Sequence, residues 1–74
     1  MYAIHRITTN EYFTGRFEDI DIGYAIISKA CWDLIEIAYI AVWKNKCDAK
    51  EYLLCMPRHK WIDFSIEELE IVEV

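Results

Sequence analysis

The chain is 74 residues long and carries 8 Lys plus Arg against 13 Asp plus Glu, which leaves a net charge of −5. Hydrophobic residues make up 55% of the composition and aromatic residues 15%, whereas there are only 2 Gly and 1 Pro. These proportions exclude an intrinsically disordered chain, a collagen-like repeat and a Pro-rich linker. We therefore expect residues 1–74 to form a single compact domain with a packed core.

The N-terminal quarter favours β-structure. Residues 2–8 form a β-tolerant alternating run that predicts a first strand, and residues 12–17 predict a short second strand. Thr14 and Gly15 interrupt the second strand, so we expect a bulge or a turn at that point.

Residues 21–37 carry the spacing of a helix. Lys29, Asp33 and Glu36 follow the pattern i, i+4, i+7 and would form one polar stripe. The acidic residues just before this stripe would cap the first turn. We therefore predict one long helix here. Its opposite, apolar side would consist of Tyr24, Ile27, Cys31, Leu34 and Ile35.

A hairpin is predicted next along the chain. Residues 38–43 and 51–56 are almost uniformly apolar, and the Lys-rich stretch 44–50 lies between them. This pattern predicts two interior strands with a long connection, followed after Pro57 by a third strand at residues 61–64.

The C-terminal segment, residues 65–74, has two readings. Ser65 and Glu68 match a capping box, which favours a helix, whereas the β-branched Ile71 and Val72 favour a strand. We predict a strand, guarded as a sheet edge by its glutamates. The fold class that follows is α+β, with a small antiparallel sheet of four to five strands and one long helix packed on it.

Residues 22–43 are long and apolar enough to be tested as a membrane span. Charged side chains inside this stretch make insertion into a bilayer costly, so we expect no membrane association. Three cysteines without a CxxC pair argue against a disulfide framework, and no signal peptide is apparent. We expect a cytoplasmic protein, in the host cytoplasm if it is virus-encoded, with Cys31, Cys47 and Cys55 reduced.

Charge is unevenly distributed along the chain. Residues 1–37 hold six acids and three bases, residues 38–61 hold two acids and five bases, and residues 62–74 hold five acids and no base. A terminal segment of this kind can attract a basic partner surface. The candidate binding residues are Glu67, Glu68, Glu70 and Glu73, with Glu18, Asp19 and Asp21 as additions and Tyr12, Trp43 and Trp61 as aromatic anchors.

An alternative interaction surface is the predicted hairpin of residues 43–61. It interleaves tryptophans with lysines and arginine, as a stacking surface for single-stranded nucleic acid does. The net charge of −5 opposes that reading, so we do not expect nucleic acid as the partner. Cys55 and His59 have the spacing of half a zinc finger, but paired ligands are missing, so we expect no metal and no cofactor.

Catalysis is not expected, because the sequence contains no GxSxG, P-loop or HExxH motif. The hydrophobic content is high for so short a chain, which favours a homodimer or a dedicated partner. Small acidic proteins of this profile are often encoded by viruses or phages and occupy a surface of a larger host protein. We expect a regulator or inhibitor of that kind, with a self-assembling structural subunit as the alternative.

Overall fold

The computed structural model describes residues 1–35, 39–56 and 66–74. Its strands form one antiparallel sheet in the order β3-β2-β1-β4, with one α-helix on one face of it. The prediction of an α+β fold with a four-stranded antiparallel sheet is confirmed. The elements in chain order are β1 (Tyr2–Arg6), β2 (Glu11–Asp21), β3 (Ile26–Asp33), α1 (Lys46–Cys55), a 3-10 helix (Ile66–Glu68) and β4 (Leu69–Glu73).

The core lies between α1 and the strands at the β4 side of the sheet. β1 and β4 pair over their full length, from Tyr2 opposite Glu73 to Arg6 opposite Leu69. Because strand side chains alternate between faces, Ile4 and Leu69 point to the helix side. The buried core cluster is Ile4, Phe13, Ala30, Leu53 and Leu69.

A large irregularity divides β2 in two. Phe13 pairs with Trp32 and Phe17 pairs with Ala30, so three residues of β2 stand opposite Cys31 alone. Gly15 lies inside this bulge with a φ of 81°, a left-handed conformation that glycine adopts without steric cost. The predicted interruption at Gly15 is confirmed, and β2 continues well beyond it.

The bulge moves β2 away from β1, and residues 41–43 fill the resulting gap. The Ala41 N–H donates to the Phe13 carbonyl at 2.9 Å, and Tyr2 and Trp43 exchange two backbone hydrogen bonds of 2.8 Å each. A Cβ at Gly15 would lie 3.2 Å from the Ala41 Cβ. The chain thus satisfies the backbone groups that β2 leaves unpaired.

The predicted helix at residues 21–37 is wrong. Residues 26–33 form β3, and Ile22 to Ala25 form the turn that joins β2 to β3, closed by a hydrogen bond from the Ile22 N–H to the Ala25 carbonyl. Gly23, at the first central position of this turn, has a φ of 96° and would interrupt a helix. Glu36 and Ile37 lie outside the described residues.

The predicted hairpin of residues 38–56 is also wrong. Its Lys-rich connection and second arm form α1, which has ten residues and follows Asn45 in an extended N-cap conformation. Ala49 and Leu53, four residues apart, are buried on the sheet side of this helix. In the predicted first strand of this hairpin, among the described residues 39–43, Trp43 alone makes a strand-type bridge. The strand predicted at residues 61–64 lies outside the described residues.

The C-terminal strand is confirmed as Leu69–Glu73, preceded by one turn of 3-10 helix. It forms one end of the sheet, as predicted for a guarded edge. The helix is short, lies late in the chain and packs on β1 and β4, which differs from the long central helix predicted.

Candidate interaction surface

The outer part of the β2–β3 hairpin, residues 18–29, projects beyond the core, and we call it the arm. None of its residues is buried. It is held by the ladder from Glu18 opposite Lys29 to Asp21 opposite Ile26, and by the turn at its tip. The molecule measures 39 × 23 × 20 Å, an elongation consistent with a projecting hairpin.

The tip of the arm exposes large apolar side chains. Tyr24 is 89% exposed, Ile26 71% and Ile22 37%. Single exposed apolar residues are ordinary, but three at one turn concentrate apolar surface at the tip, with Ile22 and Ile26 on opposite faces of the hairpin, and we call this the apolar patch. A hairpin turn also presents such side chains at its convex end, where a partner can enclose them.

Three predicted binding residues lie beside this patch. Glu18, Asp19 and Asp21 are all exposed on β2. Asp21 Oδ1 accepts a 2.8 Å hydrogen bond from the Gly23 N–H, and Asp19 Oδ1 accepts one of 3.0 Å from the Ser28 hydroxyl. These carboxylates therefore stabilise the arm as well as making it negative, and they do not cap a helix.

The C-terminal glutamates form a separate group, because β1 lies between β2 and β4. Glu70 accepts a 2.8 Å hydrogen bond from His5 Nδ1, and His5 Nε2 lies 2.8 Å from the Asn10 side-chain oxygen. The His5 ring also contacts Tyr12, with centroids 4.8 Å apart. Glu70 and Tyr12 thus belong to a network that joins β1, β2 and β4 on the sheet face opposite α1.

A groove of about 400 Å³ separates α1 from β4. Lysines of the helix line it together with glutamates of the C-terminal segment, so positive charge lies near the C-terminal acids. The C-terminal segment contains no base of its own, but in the fold these lysines of α1 line the same groove. The groove is lined by Lys46, Lys50, Leu53, Leu54, Glu67, Leu69, Glu70 and Ile71.

Of the predicted aromatic anchors, Trp43 packs inside the domain. Trp43 is half-buried against the core, its ring centroid 5.1 Å from that of Tyr52. Burial raises the pKa of the Tyr52 phenol. Trp61 lies outside the described residues. Trp43 is therefore not available as a stacking platform of a basic hairpin, and no such hairpin exists over residues 43–56.

No protein family, no curated protein and no solved structure matches this chain. Its function is therefore inferred from its own residues and their geometry.

Sequence reasoning missed the apolar patch. It placed Tyr24 on the covered side of a helix, whereas the structure exposes it at a turn. The signal that could have found the patch is Gly23 between two β-branched stretches, a typical arrangement for a two-residue hairpin turn with glycine first.

The part of the chain that the structure describes offers few other candidates for a functional site. No three His, Cys, Asp or Glu side chains there come together to hold a metal ion. Among the described helices, none has the length and apolar character to cross a membrane. Cys47 and Cys55 are exposed on α1, and Cys31 is half-buried on β3.

Proposed function

We propose that this protein is a small acidic protein-binding module that regulates or inhibits a larger partner by docking its arm on it. The observation that carries the proposal is the tip of the arm, where Tyr24 is 89% and Ile26 is 71% exposed on a turn closed by a backbone hydrogen bond. Binding rather than catalysis is the activity that this geometry favours.

The apolar tip would supply most of the affinity. A tyrosine buries a large, rigid surface at a small cost in conformational entropy, and such residues dominate binding energy when a partner pocket excludes water around them. Ile26 lies opposite Asp21 and Ile22 lies opposite Ala25, so the two isoleucines project to opposite faces of the hairpin, and the partner pocket would enclose Tyr24 with the more exposed Ile26.

The carboxylates of the arm indicate the chemistry of the partner. Glu18, Asp19 and Asp21 surround the tip with negative charge, against Lys29 as the arm's one base. Acids at the rim of an interface accelerate association with a basic surface and contribute less to final affinity. We propose a partner with an apolar pocket on a basic surface, including one that otherwise binds nucleic acid in the same cytoplasm.

A docking experiment with matched variants tests the proposal. The labelled protein captures partners from the cytoplasm of its native host at low and high salt, with Tyr24→Ala/Ile26→Ser as the arm variant. Tyr39→Ala is the control, because Tyr39 is 61% exposed but lies outside the arm. We expect the arm variant to lose the stoichiometric partner and the control to retain it. High salt should slow its association.

A third variant separates this proposal from nucleic-acid binding. Lys44, Lys46 and Lys50 are exposed bases on and before α1, so their joint change to Glu removes the described basic surface. The probe is a single-stranded 30-mer followed by fluorescence anisotropy. The proposal is wrong if the arm variant keeps its partner, or if the wild type binds the 30-mer and the lysine variant does not.

A further inference from the structure

The groove between α1 and β4 has a lining that is partly apolar and partly charged. Its volume of about 400 Å³ lies in the range of ordinary ligand sites. The apolar part comes from Leu53 and Leu54 of α1 and from Leu69 and Ile71 of β4, and every lining residue belongs to the described part of the chain. The groove can therefore receive large apolar side chains of another molecule.

Two lysines make the α1 side of the groove positive. Lys46 and Lys50 are exposed and four residues apart, so they lie on the same side of the helix. Neither lysine forms an ion pair with a residue in the ranges 1–35, 39–56 and 66–74. The glutamates of the lining belong to the C-terminal segment, where the Glu70 carboxylate accepts its hydrogen bond from His5. An occupant with carboxylates beside an apolar end would complement this lining.

One face of the arm carries that chemistry. Asp19 and Asp21 are two residues apart on β2, so their side chains point to the same face, and Ile26 shares it because it lies opposite Asp21. Tyr24 lies beyond them at the tip. Each aspartate uses one oxygen for a hydrogen bond within the arm, which leaves its other oxygen for a partner. From base to tip, the face presents two carboxylates and then apolar side chains.

The arm and the groove match in order and in spacing. Two residues of a strand advance about 6.6 Å, and four residues of a helix advance about 6 Å. With Asp19 placed opposite Lys46, the second carboxylate of the arm therefore falls opposite Lys50. The same direction along α1 carries the tip of the arm to Leu54 at the apolar end of the groove. The opposite direction would set the carboxylates against leucines.

The arm does not reach the groove of its own chain. In the sheet order β3-β2-β1-β4, β1 separates the hairpin that carries the arm from the strand that borders the groove. The β2–β3 ladder and its closed turn also hold the arm as a hairpin that projects away from the core. An arm that fills the groove must therefore come from another molecule.

We propose that the arm of one copy of this chain docks in the α1–β4 groove of a second copy. The two aspartates of the arm face the two lysines of the groove, and the apolar tip lies between the leucines of α1 and β4. Self-docking uses the arm that the proposed function assigns to a larger partner, so a tighter-binding partner displaces the second copy. It needs only the purified chain, so either interaction can fail without the other.

Complementation between two variants tests this contact. Tyr24→Ala/Ile26→Ser keeps the groove but lacks the apolar tip, and Lys46→Glu/Lys50→Glu keeps the arm but reverses the charge of the groove. In sedimentation equilibrium, each variant alone should stay at 8.8 kDa, because neither has both surfaces. Their equimolar mixture should form a pair of twice that mass. Assembly stops at the pair, since its one intact arm and its one intact groove are then both occupied.

Arg16→Glu/Lys44→Glu is a control with the same change in net charge. Both residues are exposed and lie outside the arm and the groove, so this variant should associate like the wild type. High salt should raise the dissociation constant of the wild type severalfold.

Three results would overturn the proposal. In the first, the wild type stays at 8.8 kDa at submillimolar concentration, which would leave the groove to a different ligand. In the second, the mixture of the two variants forms no pair. In the third, the control loses association as completely as the groove variant. Capture of a host partner by a wild type that stays monomeric would leave the proposed function intact and self-docking refuted.

Discussion

The arm and the core are parts of one sheet with opposite surface properties. In the core, Ile4 and Phe13 are fully buried under α1, and long-range pairing of β1 with β4 ties distant parts of the chain together. In the arm, residues 18–29 include no buried side chain and are held by a local ladder and one turn. Stability should therefore depend on the core, and recognition on the arm.

The largest expected effect is loss of core packing. Phe13 is 0% exposed, and its ring contacts those of Phe17, Trp32 and Tyr52 at centroid distances of 5.6 to 5.9 Å. Phe13→Ala should cost about 3–5 kcal/mol, enough to unfold a domain of this size. Urea denaturation followed by circular dichroism measures it.

The matched change in the arm is Tyr24→Ala, which should alter the free energy of unfolding by at most about 0.5 kcal/mol because the side chain is exposed. Similar losses for both variants would contradict the division into core and arm.

The two glycines with positive φ give the second comparison. Gly15 lies where arm and core separate, with a Cβ contact of 3.2 Å to Ala41, whereas a Cβ at Gly23 meets nothing within 4 Å. Gly23→Ala should cost about 1–2 kcal/mol from its left-handed backbone alone. Gly15→Ala should cost more, because the Ala41 segment must also move. If thermal denaturation shows equal losses of stability for the two variants, the Ala41 segment moves aside without energetic cost.

The third prediction concerns the network opposite α1. Glu70→Gln keeps an oxygen for His5 Nδ1 but removes the charge, and should cost about 1 kcal/mol. Glu73→Gln is the control, since no hydrogen bond of the Glu73 side chain enters this network, and its effect should stay near zero. Denaturation in 0.05 and 0.5 M NaCl should show the difference between the variants shrinking with salt.

The smallest effect is at alkaline pH. Burial raises the pKa of Tyr52, so as pH rises the unfolded chain loses this proton before the folded chain does. The stability from Tyr52 is complete below its ordinary pKa of 10.0 and is lost as pH rises through the higher folded pKa. Tyr52→Phe should therefore lose less stability than wild type above pH 10, whereas Tyr39→Phe, altered at an exposed ring, should follow wild type.

The sequence predicted the strands at the two ends of the chain and failed in the middle of the chain. The alternation at residues 2–8 and the β-branched residues before Val74 indicate strands correctly, because each strand has one core face. Residues 21–37 were wrongly predicted as a helix because Lys29 and Asp33 lie on the same face of a strand as well as of a helix. The decisive local signals, Gly23 and the β-branched isoleucines beside it, favoured a hairpin.

The helix was missed for a related reason. On α1 only Ala49 and Leu53 are buried, so its apolar stripe is narrow, and the apolar run Tyr52 to Leu54 resembles a strand. For the site, the acids Glu18, Asp19 and Asp21 could be identified from charge, but the exposure of Tyr24 depends on where β2 leaves the core. That departure depends on tertiary pairing of residues 41–43, which no local pattern contains.

The pairing of β1 with β4 also has a kinetic consequence. Its partners, such as Ile4 and Ile71, are separated by most of the chain, whereas β2 and β3 meet through a two-residue turn. Closing a long loop costs more entropy and slows folding, so we expect the β2–β3 hairpin to form first and β4 to dock late. Until β4 docks, β1 lacks its pairing partner on one edge, and the core lacks Leu69. Mutations that weaken β1–β4 pairing should therefore increase chaperone dependence and aggregation during synthesis, whereas mutations at the arm tip should not.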